Sequence, residues 1–195
     1  MVTGSHHLSA EQRAKLHAAC EAAEARTHAR FVLVTQHVSD RYALYPLIYG
    51  AIAGFTALGI LALVWPELSL RYAFFAATAV FALVALALDW LPLRLRAVPK
   101  RVKHAHARAM AHHAFAARVL AQNDHKPGIV FFVSLGERYV EVVTDRDVDQ
   151  RIPQKTWDAI IAGFTAAAKS GRITEGFLAA VESCTKVLET HYPKG

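Results

Sequence analysis

The chain has 195 residues, 54% of them apolar, and a positive mean hydropathy, which is high for a soluble domain and low for a transporter with many spans. Its formal net charge is +6, but the basic stretch that carries much of this excess has no interleaved aromatics and no recognisable base-reading module. That argues against nucleic acid and for anionic lipid headgroups. Cys20 and Cys184, the only cysteines, lie far apart on apparent helix faces and are expected to be free thiols in a reducing compartment.

The first block opens on Ser9-Ala10-Glu11-Gln12, a capping box with Ser9 as N-cap and Gln12 reaching back. An alanine-rich helix follows to about Arg26. Residues 30–38, RFVLVTQHV, read as a strand by their β-branched content. No apolar stretch precedes the helix, so no export signal is expected there.

Two apolar runs come next. Residues 43–65 contain no charge, and residues 72–88 reach spanning length by taking in Asp89, Trp90 and Leu91. Only PELSLR lies between them. A helix needs roughly 20 apolar residues to cross a bilayer core, and neither run has the polar face of a surface helix. They predict a transmembrane hairpin over 44–93. The competing reading, a helical hairpin buried in a soluble core, would need more chain to cover it than is present. Arg94, Arg96, Lys100, Arg101, Lys103 and Arg108 follow the second run with no acid among them, whereas the turn offers only Glu67 and Arg71. Lys and Arg mark the cytoplasmic side of a span, so both termini are expected in the cytoplasm and the turn outside. Trp65, Tyr72 and Trp90 stand at run ends, where amphipathic rings favour the interface. With Arg94, Arg96, Lys100, Arg101 and Lys103 they form the expected membrane-interface set. Gly50, Ala53, Gly54, Ala57 and Gly59, and Ala73, Ala76, Ala77 and Ala79, would let helices approach closely in lipid, either within the hairpin or against a partner. Asp89 is placed to pair with Arg94 or with a partner.

The second block begins with a predicted helix over 99–122 and a loop over 123–128. Residues 129–133 and 139–144 are strands, and 134–138 turns between them, giving an antiparallel hairpin. Glu137 and Arg138 in that turn are expected to form an exposed ion pair. Trp157, Ile160, Ile161, Phe164 and Ala168 have helical spacing, as do Phe177, Val181, Cys184 and Leu188. Neither block can bury its apolar face alone. The two are therefore expected to fold together as one α+β domain, residues 1–43 with 94–195, interrupted by the membrane hairpin.

At these residues a family resemblance emerges. AEARTHARFVLV at 23–34 resembles the opening of a TPM domain, where T-x-G-E-I precedes a Val-rich strand. PGIVFFVSLGERYVEV at 127–142 is similar to that family's hairpin, G-V-L-[LI]-x-V-[SA]-x-x-[DE]-R. DQRIPQKTW at 149–157 and ITEGF at 173–177 match its two later helix entries. The likeness covers nearly all the charged sequence and is nearest to a bacterial subgroup in which two spans interrupt the domain. It implies a compact α/β/α sandwich, here expected on the cytoplasmic side of the bacterial cytoplasmic (inner) membrane that the two spans cross. Members of the family include phosphatases and proteins that act beside membrane complexes.

The departures bear on function. Arg30 stands where the family pattern has an acid, Ala29 where it has glycine, and Gln154 where Pro-Asp is common. Two carboxylates that could hold a divalent cation are thus missing, and Arg30 reverses the local sign. Asp145, Asp147 and Asp149 remain; if the segment is extended, alternation puts all three on one side. They are the candidate metal ligands for Ca or Mg. However, Gln150 and Thr156 occupy the positions where a calcium loop needs glycine and glutamate, and Arg146 and Arg151 offset the charge. His104, His106, His112 and His113 lack the i,i+3 or i,i+4 spacing of helical metal ligands. They fit a headgroup-facing basic helix. No nucleophile triad or phosphate loop is present in the sequence. Two readings follow. The favoured one is a non-catalytic accessory or assembly subunit without a cofactor, presenting a TPM-like domain to a membrane complex or to a second copy. The alternative is a cation-dependent, membrane-tethered phosphatase.

Overall fold

The computed structural model describes residues 2–3, 9–38, 42–121 and 126–194. It divides into two compact units, one built from residues 1–39 and 104–195, the other from 40–103.

The first unit is organised around a sheet of β1 (Val2–Thr3), β2 (Arg30–Gln36), β3 (Gly128–Ser134) and β4 (Tyr139–Thr144), in that spatial order. β2 and β3 run parallel, in register from Arg30 opposite Gly128 to Gln36 opposite Ser134, and β4 returns antiparallel with Thr144 opposite Ile129. The two central strands are near-continuous apolar runs because both faces are covered. Alternate residues serve opposite layers. Phe31, Leu33, Ile129 and Phe131 face a core shared with Leu16, Cys20, Trp157, Phe164, Phe177, Cys184 and Leu188. These come from α1 (Ala10–Arg26), α7 (Gln154–Lys169) and α8 (Ile173–His191). Val32, Val34, Val130 and Phe132 face Ala107, Ala111 and Phe115 of α5 (Lys100–Phe115). The result is the expected α/β/α sandwich, closed by sequence blocks from either side of the apolar helices.

Local signals account for most of these elements. Ser9 Oγ accepts from the Gln12 N–H at 3.1 Å and Gln12 Oε1 from the Ser9 N–H at 2.9 Å, so the capping box starts α1. At Gly176 a Cβ would lie 2.9 Å from Ala167 Cβ, so glycine permits the close crossing of α7 and α8. Three features differ from the sequence reading. β1 pairs parallel with β2. The predicted helix over 99–122 ends α5 at Phe115 and continues as one π turn, Ala116–Leu120. The acid-alternating segment, read as extended, is a short helix, α6 (Arg146–Arg151).

The second unit contains α2 (Leu44–Val64), α3 (Leu70–Asp89) and α4 (Leu91–Ala97). Among the described residues, α2 and α3 are long and apolar enough to cross a membrane, and little of either is buried, 11% and 6% of the most apolar window. Phe55, Leu63 and Leu86 are 76%, 85% and 74% exposed. A soluble core helix would hide such side chains, and monomeric soluble proteins rarely leave patches of that size uncovered. Gly50, Gly54, Ala73 and Ala77 are buried against the opposing helix. A Cβ on Gly50 would meet the Phe81 carbonyl at 3.0 Å, and one on Gly54 the Ala77 carbonyl at 3.1 Å. These four small residues are used inside the hairpin.

Candidate functional site

Arg30 and Gln154, the two positions where the resemblance leads one to expect acids, lie on different elements. Arg30 opens β2 opposite Gly128, and its N–H donates to the Pro127 carbonyl at 2.7 Å. Its side chain helps line a recess of about 90 Å³ with Glu24, His28, Lys126 and Lys194. Cations outnumber the single acid there, so the recess offers a divalent cation only one carboxylate. Gln154 is exposed at the start of α7 and donates from Nε2 to Asp158 Oδ1 at 3.2 Å, within its own helix.

The three candidate aspartates are divided among separate tasks. Asp145 is the N-cap of α6: Oδ1 accepts from the Val148 N–H at 2.9 Å, while Oδ2 accepts from the Gly128 N–H at 2.8 Å. It therefore ties α6 to the first residue of β3. Asp147 accepts from the Tyr192 hydroxyl at 2.8 Å and pairs with Arg151 at 3.1 Å, and the Arg151 guanidinium stands over the Tyr192 ring. The Tyr192 hydroxyl, and after it Arg151, holds the Asp147 carboxyl below its ordinary range. Desolvation, followed by Asp147, holds the Tyr192 phenol above its own. Asp149 is exposed. On a helix, positions two apart point to nearly opposite sides, so the three carboxylates do not share the side that an extended segment would give them. Among the described residues no three His, Cys, Asp or Glu side chains converge to hold a metal ion.

The other end of the sheet has a different chemistry. The β3–β4 turn donates to the end of β2, from the Leu135 N–H to the Gln36 carbonyl at 3.0 Å and from the Gly136 N–H to the His37 carbonyl at 2.7 Å. Glu137 is buried at 4% exposure and not exposed as expected, because the turn folds back over β2. Arg138 is exposed with φ 52°. Between this turn and the α7–α8 corner lies a cleft of about 400 Å³, lined by Leu135, Val140, Phe164 and Ile173 and by Arg138 and Lys169. Sequence reasoning missed it. Arg138 and Lys169 are 31 positions apart, and only the antiparallel turn and the C-terminus of α7 bring them to one opening.

The interface set sits as follows. Trp65, Tyr72 and Trp90 are 59%, 66% and 67% exposed at the ends of α2 and α3. Arg94 and Arg96 are on α4, and Lys100, Arg101 and Lys103 begin α5. Arg94 folds back to pair with Asp89, leaving its side chain 12% exposed, and Lys103 Nζ donates to the Leu95 carbonyl at 2.7 Å. Arg96, Lys100 and Arg101 remain exposed. Two of the α5 histidines meet β4: His104 stacks on Tyr139 at 5.2 Å, and His112 faces Glu141 at 3.7 Å.

The family model for the TPM domain matches residues 95–187. The NMR structure of the BA42 protein from the psychrophilic bacterium Bizionia argentinensis resembles this chain with a TM-score of 0.58 at 11% identity, covering 97% of this chain and 86% of that one. At that identity the likeness concerns the fold alone. No curated protein matches the chain.

Proposed function

We propose, from the match of residues 95–187 to the TPM-domain family model, that the chain is a non-catalytic accessory or assembly subunit of a bacterial inner-membrane complex. The observation that carries this reading is the Arg30 recess, where Arg30, Lys126 and Lys194 stand in place of a carboxylate-lined cation site. A cation-dependent phosphatase needs several oxygen ligands, carboxylates above all, to hold its metal ion. Of the remaining acids, Asp145 and Asp147 are occupied in capping α6 and in binding Tyr192 and Arg151, and Asp149 stands exposed apart from them. The exposed cations Arg96, Lys100 and Arg101 after the second apolar helix support a cytoplasmic domain, by the bias of Lys and Arg toward that side. The hairpin then anchors the domain, and the outer faces of α2 and α3 are left for lipid, a partner protein or a second copy.

In mild detergent the full chain should migrate as a discrete species with one stoichiometric membrane partner, or as a homo-oligomer. Replacing α2 and α3 with an unrelated two-span hairpin should disperse it. Hydrolysis of p-nitrophenyl phosphate with Mg²⁺ or Ca²⁺ should stay at background. A saturable, cation-dependent hydrolysis that is lost when Asp145 and Asp147 become Asn would overturn this reading in favour of the phosphatase.

A further inference from the structure

We propose that the cleft at the β3–β4 turn binds an anionic amphiphile, a molecule with a short apolar body and a phosphate or carboxylate group. The proposal does not depend on the accessory role. The cleft volume, about 400 Å³, falls in the range of small-molecule sites, which combine apolar walls with a few polar groups that fix orientation. Here Leu135, Val140, Phe164 and Ile173 supply the walls. Arg138 and Lys169 supply charge. The described lining residues include no acid, and neither cation has an ion pair among the described residues. An anion entering the cleft therefore meets two uncompensated cations and no carboxylate.

A second, independent feature points to a ligand. Ser134, the last residue of β3, contributes to the cleft wall and is completely buried, and its Oγ has no hydrogen-bond partner among the described residues. Buried hydroxyls are nearly always partnered, and leaving one unpaired is costly. A phosphate or carboxylate oxygen would give this hydroxyl an acceptor while pairing with Arg138 and Lys169 by charge-assisted bonds.

The required chemistry admits two sources of ligand. The chain leaves the unit just after His37, whose carbonyl accepts from Gly136, and re-enters it at His104, whose ring stacks on Tyr139. Both points lie at the end of the sheet that carries the cleft. An acidic phospholipid and a soluble alkyl phosphate share the required chemistry.

The test uses the full chain in phosphatidylcholine nanodiscs, with backbone amide shifts as the readout. Hexyl phosphate should shift residues 133–140 and 165–173 saturably. Hexanol and inorganic phosphate should bind roughly ten-fold or more weakly, as should hexyl phosphate to the Arg138→Gln/Lys169→Gln variant. Ser134→Ala should weaken binding several-fold without loss of fold. If phosphatidylglycerol discs alone shift the same residues, and hexyl phosphate competes, the ligand is a lipid headgroup. If they do not, it is a soluble ester. Absence of saturable shifts with both probes, or equal binding by the double variant, would overturn the proposal.

Discussion

Gly128 is confined to glycine by its neighbour and not by its backbone angle. A Cβ there would lie 2.3 Å from Val119 Cγ1, on the π turn that ends α5. Gly128→Ala should therefore cost about 1–3 kcal/mol, as overpacking does, read as a lower urea midpoint for the α/β unit. Val119→Ala in the same chain should recover part of the loss, whereas the two changes would add if the strain lay elsewhere. Asp147 gives a pH-dependent contribution. Its folded-state pKa lies below the ordinary 3.8, so its stabilisation is complete above that value and disappears as pH falls through the lowered one. The difference in Tm between the parent and Asp147→Asn, present at neutral pH, should close below pH 3.8. A difference that persisted in strong acid would assign the effect to packing. Cys20 and Cys184 are fully buried, and burial pushes their thiols to about 11 and about 12. A thiolate-selective reagent at pH ~8 should leave both untouched until the chain is unfolded; rapid labelling of the native protein would contradict this.

At the scale of elements, what could be read in the sequence divides by periodicity. α1, α7 and α8 announce themselves by capping or by spaced apolar residues, and β2, β3 and β4 by β-branched runs. α6 does not, because its six residues include a single buried one, Val148, and a short polar helix fixed by one N-cap has no periodic signature. The end of α5 was equally hidden, since the π turn there packs Val119 against Gly128, beyond the reach of helical periodicity. The hairpin poses a subtler case. Small residues occur on several faces of both apolar runs, and sequence alone left open whether they meet each other or a partner. Pairing α2 with α3 selects Gly50, Gly54, Ala73 and Ala77 for the inner face and leaves Gly59 with open space around it. Gly54→Leu should destabilise the hairpin by about 1–3 kcal/mol, lowering its unfolding midpoint in SDS titration. Gly59→Leu should leave that midpoint unchanged; if Gly59→Leu instead disrupts a larger assembly, the exposed glycine marks a partner contact.

For the whole molecule, the main inference drawn from sequence was that two distant blocks make one domain, and the parallel register of β2 with β3 joins them through the centre of the sheet. The candidate site was less legible. Arg30 and Gln154 could be recognised as departures, but the cleft depends on side chains brought together only by the turn and the α7–α8 corner. Replacing residues 40–103 with a short Gly/Ser linker should yield a soluble protein that melts in one cooperative step, because both buried clusters of the α/β unit are made from residues 1–39 and 104–195 alone. Aggregation at every linker length would show that the hairpin is needed to complete the α/β unit.

The insertion point also sets a timetable for biosynthesis. Gly128, the strand partner of Arg30, emerges 98 residues after it, roughly 5–20 s later at ordinary elongation rates. During that interval β2 has no β3 to cover it, and non-local pairing of this kind is slow to find. The two apolar helices are made in the meantime. Once they pair, the Tyr49 hydroxyl near the start of α2 bonds the Ala97 carbonyl at the end of α4, so the far ends of the inserted segment are drawn together. A folded hairpin therefore acts as a clamp that shortens the effective loop between β2 and β3. A hairpin that fails to close should therefore delay folding on the ribosome before it alters the finished protein.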